Sequence, residues 1–515
     1  MKNISFMISV AAVPFVATGC CSDKKDTRPN VIFILSDDHT SQAIGAYGSI
    51  YNKVIDATPN IDALAENGAI FMNAFCTNAI SGPSRASIIT GKYSHENGFY
   101  KNVGAAPFDS TQVTFPMVLH DNGYTTALFG KWHLESTPQG FDHYKIHVGQ
   151  GQYWDPVWIE DGKRYKEKGY ATTLTADSAI EWLDNRDKDK PFCMLLHFKA
   201  PHRPWNPDKC YEHIYDGIEL PYPETFDDNY MTREKTAGNT EMTIEHHLTP
   251  GDLKVPAPEG MSPEMKKKWA NTGQKGEFWS PSDTLEGYAL KQWKYQKYVK
   301  DYLATAKSVD DQVGRLSEYL KENGLEDNTI VIYCGDQGFY LGEHGWFDKR
   351  FMYEESMRMP FIVRWPEKIK GGTVIDGLIS NVDFAPTILG MCGIPADSGM
   401  QGESYADLFS GTPGKHKGSI YYHYYEYPFW HHVQPHYGIR TDKYKLMHFY
   451  YDIDVWEMYD LENDPDELHN LYYDEDFAGL RDSLSRELVL QQQKYKDTGS
   501  IEDFRKITDY RYKAL

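Results

Sequence analysis

Cysteine is scarce in this sequence. Seven occur in 515 residues. Beyond the adjacent Cys20-Cys21, the others (Cys76, Cys193, Cys210, Cys334 and Cys392) stand far apart. The absence of a CxxC pair argues against a thiolate zinc site, and no disulfide framework is expected. Positive charge is also short: 53 Lys and Arg face 74 Asp and Glu, for a net charge of −21. Such a balance disfavours nucleic acid as a partner, because phosphate neutralisation needs a basic surface. An anionic substrate would have to be drawn in by a local basic pocket that works against the overall field. No internal repeat is present. Gly149-Gln150-Gly151-Gln152 lacks the third glycine and the following helix of a dinucleotide-binding loop. The apolar run Ile4 to Ala17 is too short to span a membrane.

That run follows Met1-Lys2 and fits a signal peptide. Ala17-Thr18-Gly19-Cys20 resembles a bacterial lipoprotein cleavage box, which implies lipidation of Cys20. The expected location is therefore exported: periplasmic, or an outer-membrane lipoprotein that meets the membrane only through its lipid anchor. Residues 1–27 are set aside as signal peptide and tether.

The body of the chain alternates strand-like and helical patterns. Asn30 to Leu35 is a nearly continuous β-branched apolar run, as in a strand buried on both faces of a parallel sheet. Similar runs are Thr125 to Phe129, Phe192 to Phe198, Thr329 to Cys334 and Phe361 to Val363. Helical patterns fall between them at Thr114 to Asn122, Thr173 to Asn185, Gln292 to Asn323 and Val382 to Met391. The class is α/β with a largely parallel sheet flanked by helices. Periodicity is poor from Pro204 to about Trp279, which reads as a surface excursion or lid. After Gly411-Thr412-Pro413-Gly414 come four short strand-like runs and a helix, so 416–515 is expected to be a smaller α+β domain on an antiparallel sheet, following a main domain at 28–415.

Chemistry gathers just past the strand ends. Asp37-Asp38 follow the first strand and Asp336-Gln337 follow Thr329 to Cys334. Either pair alone would serve as helix caps. Together they offer three carboxylates and an amide oxygen, hard ligands suited to Ca²⁺ or Mg²⁺. Lys131-Trp132-His133, Lys199 to His202, and Lys349 add basic groups in the same position relative to their strands. Ser81-Gly82-Pro83-Ser84-Arg85 leads into a helix expected from Ser84, which sets Ser81 where free N–H groups and partial positive charge collect. An acidic metal cage beside a basic pocket suits an anionic ester with a poor leaving group.

Ser81-Gly82-Pro83-Ser84-Arg85 with Thr90-Gly91 resembles the signature of type I sulfatases, C/S-x-P-S-R-x-x-x-x-T-G. Asp37-Asp38, Gly130-Lys131-Trp132-His133, Pro201-His202 and Asp336-Gln337-Gly338 match the family in order and context. The resemblance implies the alkaline-phosphatase-like fold. It also implies conversion of Ser81 to formylglycine (3-oxoalanine) by an anaerobic radical-SAM maturase, whose hydrated form attacks sulfur. One Ca²⁺ would be held by Asp37, Asp38, Asp336, Gln337 and the modified Ser81. Arg85 would orient the diol, and Lys131 and Lys349 would bind sulfate oxygens. His202 with Lys349 would protonate the leaving alcohol, and His133 would deprotonate the remaining hydroxyl so that sulfate leaves.

Gly338 to Gly345, Asp348-Lys349-Arg350 and His432 to Arg440 resemble the N-acetylglucosamine-6-sulfatase branch. On that resemblance Asp348, Arg350 and His436 bind sugar hydroxyls, and Trp205 or Trp430 stacks on a ring. The implied substrate is 6-O-sulfated N-acetylglucosamine or glucosamine in heparin or heparan sulfate fragments. Two other readings stay open at this point: a phosphonate monoester or phosphodiester hydrolase of the same superfamily, and a non-catalytic glycan-binding lipoprotein.

Overall fold

The computed structural model describes residues 27–272, 285–410 and 416–509. The signal segment with Cys20, the end of the excursion near Trp279 and the Gly411 to Gly414 stretch lie outside the described residues.

Ten strands form one sheet. Its centre is four parallel strands side by side: Thr329–Gly335, Asn30–Ser36, Phe192–Phe198 and Thr125–Gly130. All four match the apolar runs of the sequence within a residue. His143–His147 continues the parallel set, whereas Phe361–Arg364 pairs antiparallel with Thr329–Gly335. Successive side chains of a strand point to opposite faces. Accordingly Val31, Phe33 and Leu35 enter one apolar core and Ile32 and Ile34 the other. The second core is closed by Val309, Val313 and Leu320 of the long helix Gly287–Glu322 and by Ala176, Ala179 and Leu183 of Ala171–Asn185. The first is covered by the helices Ser81–Thr90, Phe115–Asp121 and Phe384–Met391. Among the described residues no helix is long and apolar enough to cross a membrane, and the five described cysteines are unbridged.

A separate antiparallel sheet takes Ser419–Tyr424, His436–Thr441, Tyr444–Phe449 and Val455–Asp460 in chain order. One face, with Tyr421, Ile439, Leu446 and Met458, packs on Leu484 and Leu488 of the helix Ala478–Tyr495. The other face, with Tyr422, Tyr424, Met447 and Phe449, joins the main core. The small sheet is therefore docked through buried apolar area.

Two expectations change. The signature helix begins at Ser81, not Ser84, with Ile80 extended before it. Pro83 lies in the first turn, where its missing N–H costs nothing. The Pro204 to Trp279 stretch is not a surface excursion over its described part. Trp205, Leu220, Phe226, Met242, Leu248, Leu253 and Trp269 are buried, so irregular backbone is held down by large apolar anchors.

Candidate active site

The sheet register builds the site. Ser36 pairs with both Phe198 and Gly335, and Gly130 pairs with His197. The next residues are Asp37, Lys199, Asp336 and Lys131. Two carboxylates and two amines thus leave four adjacent strand ends at one edge, where ligands collect in parallel sheets. Gly130 makes the exit of Lys131 possible. Its φ is 99°, and a Cβ there would fall 1.9 Å from the His197 carbonyl oxygen.

The signature helix is locked against this edge. Ser81 Oγ donates to Asp37 Oδ1 at 2.9 Å. Ser84 Oγ donates to the Asp336 carbonyl and accepts from Asn381 Nδ2 at 3.0 Å. Arg85 Nε donates to Asp336 Oδ2 at 3.1 Å and Nη1 to the Lys131 carbonyl at 2.7 Å. Thr90 Oγ1 bonds the Ala86 carbonyl at 2.6 Å, and Gly91 ends the helix in the left-handed region. Each polar residue quoted from the signature thus has a mechanical job.

The carboxylates are fully buried. Lys131 Nζ donates to Asp37 Oδ2. Lys349 Nζ donates to both oxygens of Asp38, at 2.6 and 2.7 Å. The Asp38 N–H donates to Asp336 Oδ1 at 3.0 Å. Burial would raise Asp37, but the neighbouring cations, Lys131 foremost and then Arg85 and Lys349, outweigh it and hold its carboxyl well below the usual range. Asp38 is pushed up to about 7 by burial, with Asp37 and Asp336 adding repulsion against the pull of Lys349. Burial lowers His133, with Lys131 adding to it, and lowers His202 despite Asp37; both rings are held neutral. Asp38 and Asp348 outweigh burial at Lys349 and raise its ammonium.

The donor atoms of Asp37, Asp38 and His202 lie within 4.8 Å of one another. Gln337 Nε2 bonds Asp38 Oδ1, while Gln337 Oε1 is buried with no hydrogen-bond partner. Three carboxylates and an unused amide oxygen fit a hard cation such as Ca²⁺. His202 supplies nitrogen, and its Nδ1 donates to the Arg203 carbonyl at 2.7 Å. It is better suited to moving protons than to binding such an ion.

A cavity of about 490 Å³ opens above this edge. Its lining joins Ser81, His202 and Lys349 to Asp348, Arg350 and Trp430. Arg350 Nε meets Asp348 Oδ1 at 3.1 Å, and its Nη1 donates to Glu426 Oε1 at 2.9 Å. Two groupings proposed from the sequence fail. His436 does not reach the cavity: it is fully buried, accepts from the Met352 N–H at 3.1 Å and donates to the Gln434 carbonyl at 2.8 Å. It supports the turn after Arg350 instead. Trp205 is fully buried, its ring 4.4 Å from that of Tyr298, so it is core. Trp430, by contrast, is 60% exposed at the cavity rim.

The wall and the residues that back it include groups that the sequence reading did not single out. His431 Nε2 lies 3.2 Å from Asp348 Oδ2. Arg203 makes two 2.6 Å bonds to Asp252. Glu426 Oε2 accepts from the N–H groups of Asn102 and Val103 at 2.7 and 2.9 Å, and Asn102 Oδ1 accepts from the Gly82 N–H at 3.0 Å. His431 sat five positions from the chosen His436 in a run of histidines, with nothing local to favour it. Glu426 carried no local signal.

The chain is similar to known proteins over nearly its whole length. A sulfatase family model matches residues 29–394, and a model for the C-terminal part of N-sulphoglucosamine sulphohydrolase matches 342–494. An N-acetylglucosamine-6-O-sulfatase of Bacteroides thetaiotaomicron is 46% identical, over 96% of this chain and 91% of its own. The solved structure of BT4656 in complex with its substrate D-glucosamine-2-N,6-O-disulfate superposes with a TM-score of 0.85 at 46% identity, covering 92% of this chain and 99% of that one. A phosphonate monoester hydrolase of Agrobacterium radiobacter shares the fold, with a TM-score of 0.67 at 22% identity over 91% of this chain and 96% of its own. With the signature helix locked onto the carboxylate edge and the family model spanning the whole main sheet, the chain belongs to the sulfatase family and is a sulfuric ester hydrolase.

Proposed function

We propose that this sulfatase removes the 6-O-sulfate of N-acetylglucosamine or glucosamine units in heparin or heparan sulfate fragments. The observation that carries this reading is the single cavity that joins Ser81 and Lys349 to a sugar-facing wall of Asp348, Arg350 and Trp430. Support comes from the 46% identical N-acetylglucosamine-6-O-sulfatase and from the glucosamine disulfate in the complex of the similar structure.

Formylglycine made from Ser81 would supply the nucleophilic oxygen. Ca²⁺, held by Asp37, Asp38, Asp336, Gln337 and the modified Ser81, would offset carboxylate repulsion and polarise the sulfuryl group. The other roles fall to the chain. Arg85, fixed by Asp336 and the Lys131 carbonyl, holds positive charge behind the nucleophile. Lys131 and Lys349 present ammonium groups to the sulfuryl oxygens. The proton for the leaving alcohol comes from Lys349, kept charged by Asp38, with His202 Nε2 turned toward Asp38 at 3.8 Å as its relay. His133, neutral and buried with Nδ1 unpartnered, takes the proton that frees sulfate. Trp430 offers a ring for stacking on the sugar. The working partners are then a sulfated saccharide and a radical-SAM maturase, and the leader ending at Cys20 supports export of the enzyme as a lipoprotein.

The test joins mass spectrometry of the Ser81 peptide, from protein matured in its host, to sulfate release from a panel of sulfated saccharides and matched phosphate esters. The expected result is an aldehyde or its hydrate at Ser81 and preference for 6-O-sulfated glucosamine at a non-reducing end. Preference for 2-O- or 4-O-sulfate, or dominant phosphate release, refutes the reading.

A further inference from the structure

The turn Gly149-Gln150-Gly151 is left unused by the roles above. It follows the strand His143–His147, which neighbours the strand that delivers Lys131. Gly149 and Gly151 have φ of 57° and 74°. A Cβ at Gly151 would sit 2.8 Å from the His147 ring, itself stacked on Trp158 at 4.1 Å. The turn is thus seated on a rigid aromatic floor, and it carries Gln150 into the lining of the Ser81 cavity.

Gln150 Oε1 accepts from Lys131 Nζ. An ammonium has no acceptor, so the oxygen is the end of the carboxamide that faces Lys131. The NH₂ end then points away, and among the described residues it finds no protein acceptor. Lys131 also donates to Asp37. Two of its three N–H groups are thereby fixed, which aims the third.

We propose that Gln150 is a further sulfuryl-binding residue: its oxygen fixes the Lys131 ammonium, and its NH₂ donates to a sulfuryl oxygen of the bound ester. This rests on the sulfatase reading of the Ser81 cavity. A neutral carboxamide suits the position because it adds donors without adding charge. A carboxylate there would keep the Lys131 bond but lose both donors and repel the sulfate.

Gln150 is exposed, so its replacement leaves the core intact. In matured enzyme, Gln150→Ala is expected to lower kcat/KM for sulfate release from glucosamine 6-sulfate about 10- to 100-fold, the loss of one hydrogen bond to a charged group. Gln150→Glu is expected to fall roughly another 10-fold, with Tm unchanged in both. Gln152→Ala, exposed and outside the cavity lining, is the control expected to match wild type. Calorimetric titration of inorganic sulfate gives a readout independent of turnover: Ser81→Ala protein is expected to bind it about 10-fold more tightly than the Ser81→Ala, Gln150→Glu double variant. Gln150→Ala within twofold of wild type overturns the proposal. Gln150→Glu no worse than Gln150→Ala means that Gln150 acts through Lys131 alone, and overturns the sulfuryl contact. A wild-type enzyme that releases no sulfate from any saccharide refutes the functional reading instead, and the titration then decides Gln150, equal affinities overturning it.

Discussion

Around Ser81, most polar groups come from strand ends or from the helix packed against them, with Lys349 and His202 added from loops. Asp37, Lys131 and Asp336 each follow the last residue of a central strand. Around Trp430, Arg350, Glu426, His431 and Asp252 come from three loops far apart in the chain, one of them in the small domain. The first region is held by a sheet register, in which a one-residue slip would turn every side chain over. The second is held by single ion pairs and hydrogen bonds between loops. The difference teaches where chemistry and where specificity are stored. On the proposed function, the strand ends together with Lys349 and His202 would carry bond breaking and tolerate no displacement, whereas the other loops would carry sugar choice and could be rebuilt without touching the sheet.

The largest effect is expected where register and charge coincide. Asp336→Asn keeps the shape but removes a negative charge that holds Arg85 and would face the cation. Sulfate release should fall by at least about 10³-fold with little change in substrate affinity, checked by steady-state kinetics beside equilibrium binding. A loss confined to KM would erase the contrast between the two regions.

Glu426→Ala strikes the bridge between them, since Glu426 holds Arg350 on one side and Asn102, hence Gly82, on the other. KM for the saccharide should rise roughly 30-fold and kcat fall about threefold, as expected for loss of a buried charged hydrogen bond that acts mainly on sugar binding. Equal losses in both would mean that the bridge serves the nucleophile helix as much as the sugar wall. Trp430→Ala tests the rim alone. The stacking surface is worth about 1 kcal/mol, so KM should rise only about fivefold, with kcat and Tm unchanged.

The smallest effect on catalysis, and the clearest on stability, lies in the stretch that joins Asp336 to Asp348. His344 is fully buried within it. Burial would lower its pKa, but Asp228, 2.9 Å from Nδ1, and Glu355 outweigh that and raise it to about 9. The ordinary value is 6.5, so the folded protein holds this proton more tightly than the unfolded chain. The contribution is full below pH about 6.5 and is lost as pH rises through about 9. It is worth up to about 3 kcal/mol. His344→Gln should therefore lower Tm at pH 6 and converge on wild type near pH 10, with kcat at pH 7 nearly unchanged. Parallel Tm curves would show that the ion pair carries no net stability.

Much of this was legible before the fold was known. Apolar runs such as Asn30 to Leu35 and Phe192 to Phe198 mark buried parallel strands, because only a strand covered on both faces can be apolar throughout. The polar residues that end them then stand at one edge by geometry alone. His436 and Trp205 were misread for the converse reason. A histidine at the start of a short strand, or a tryptophan in a loop, does not say whether it faces a cavity or a core, and both turned out to be packed inside. The Pro204 stretch was misread as surface because its anchors are large but irregularly spaced, and periodicity detects only regular burial.

By itself, the sequence determined the α/β sheet, the strand ends, the signature helix and the carboxylate and lysine set that meet it. Each of these depends on residues near one another in the chain, or on a register that buried strands enforce. Only the tertiary structure decided which groups line the sugar region. The bonds from Glu426 to Arg350 and Asn102 and from His431 to Asp348 join loops that the chain brings together only when the small sheet docks on the main core. That docking is driven by buried apolar area, which has no direction of its own, so the polar partners it selects cannot be read from local pattern.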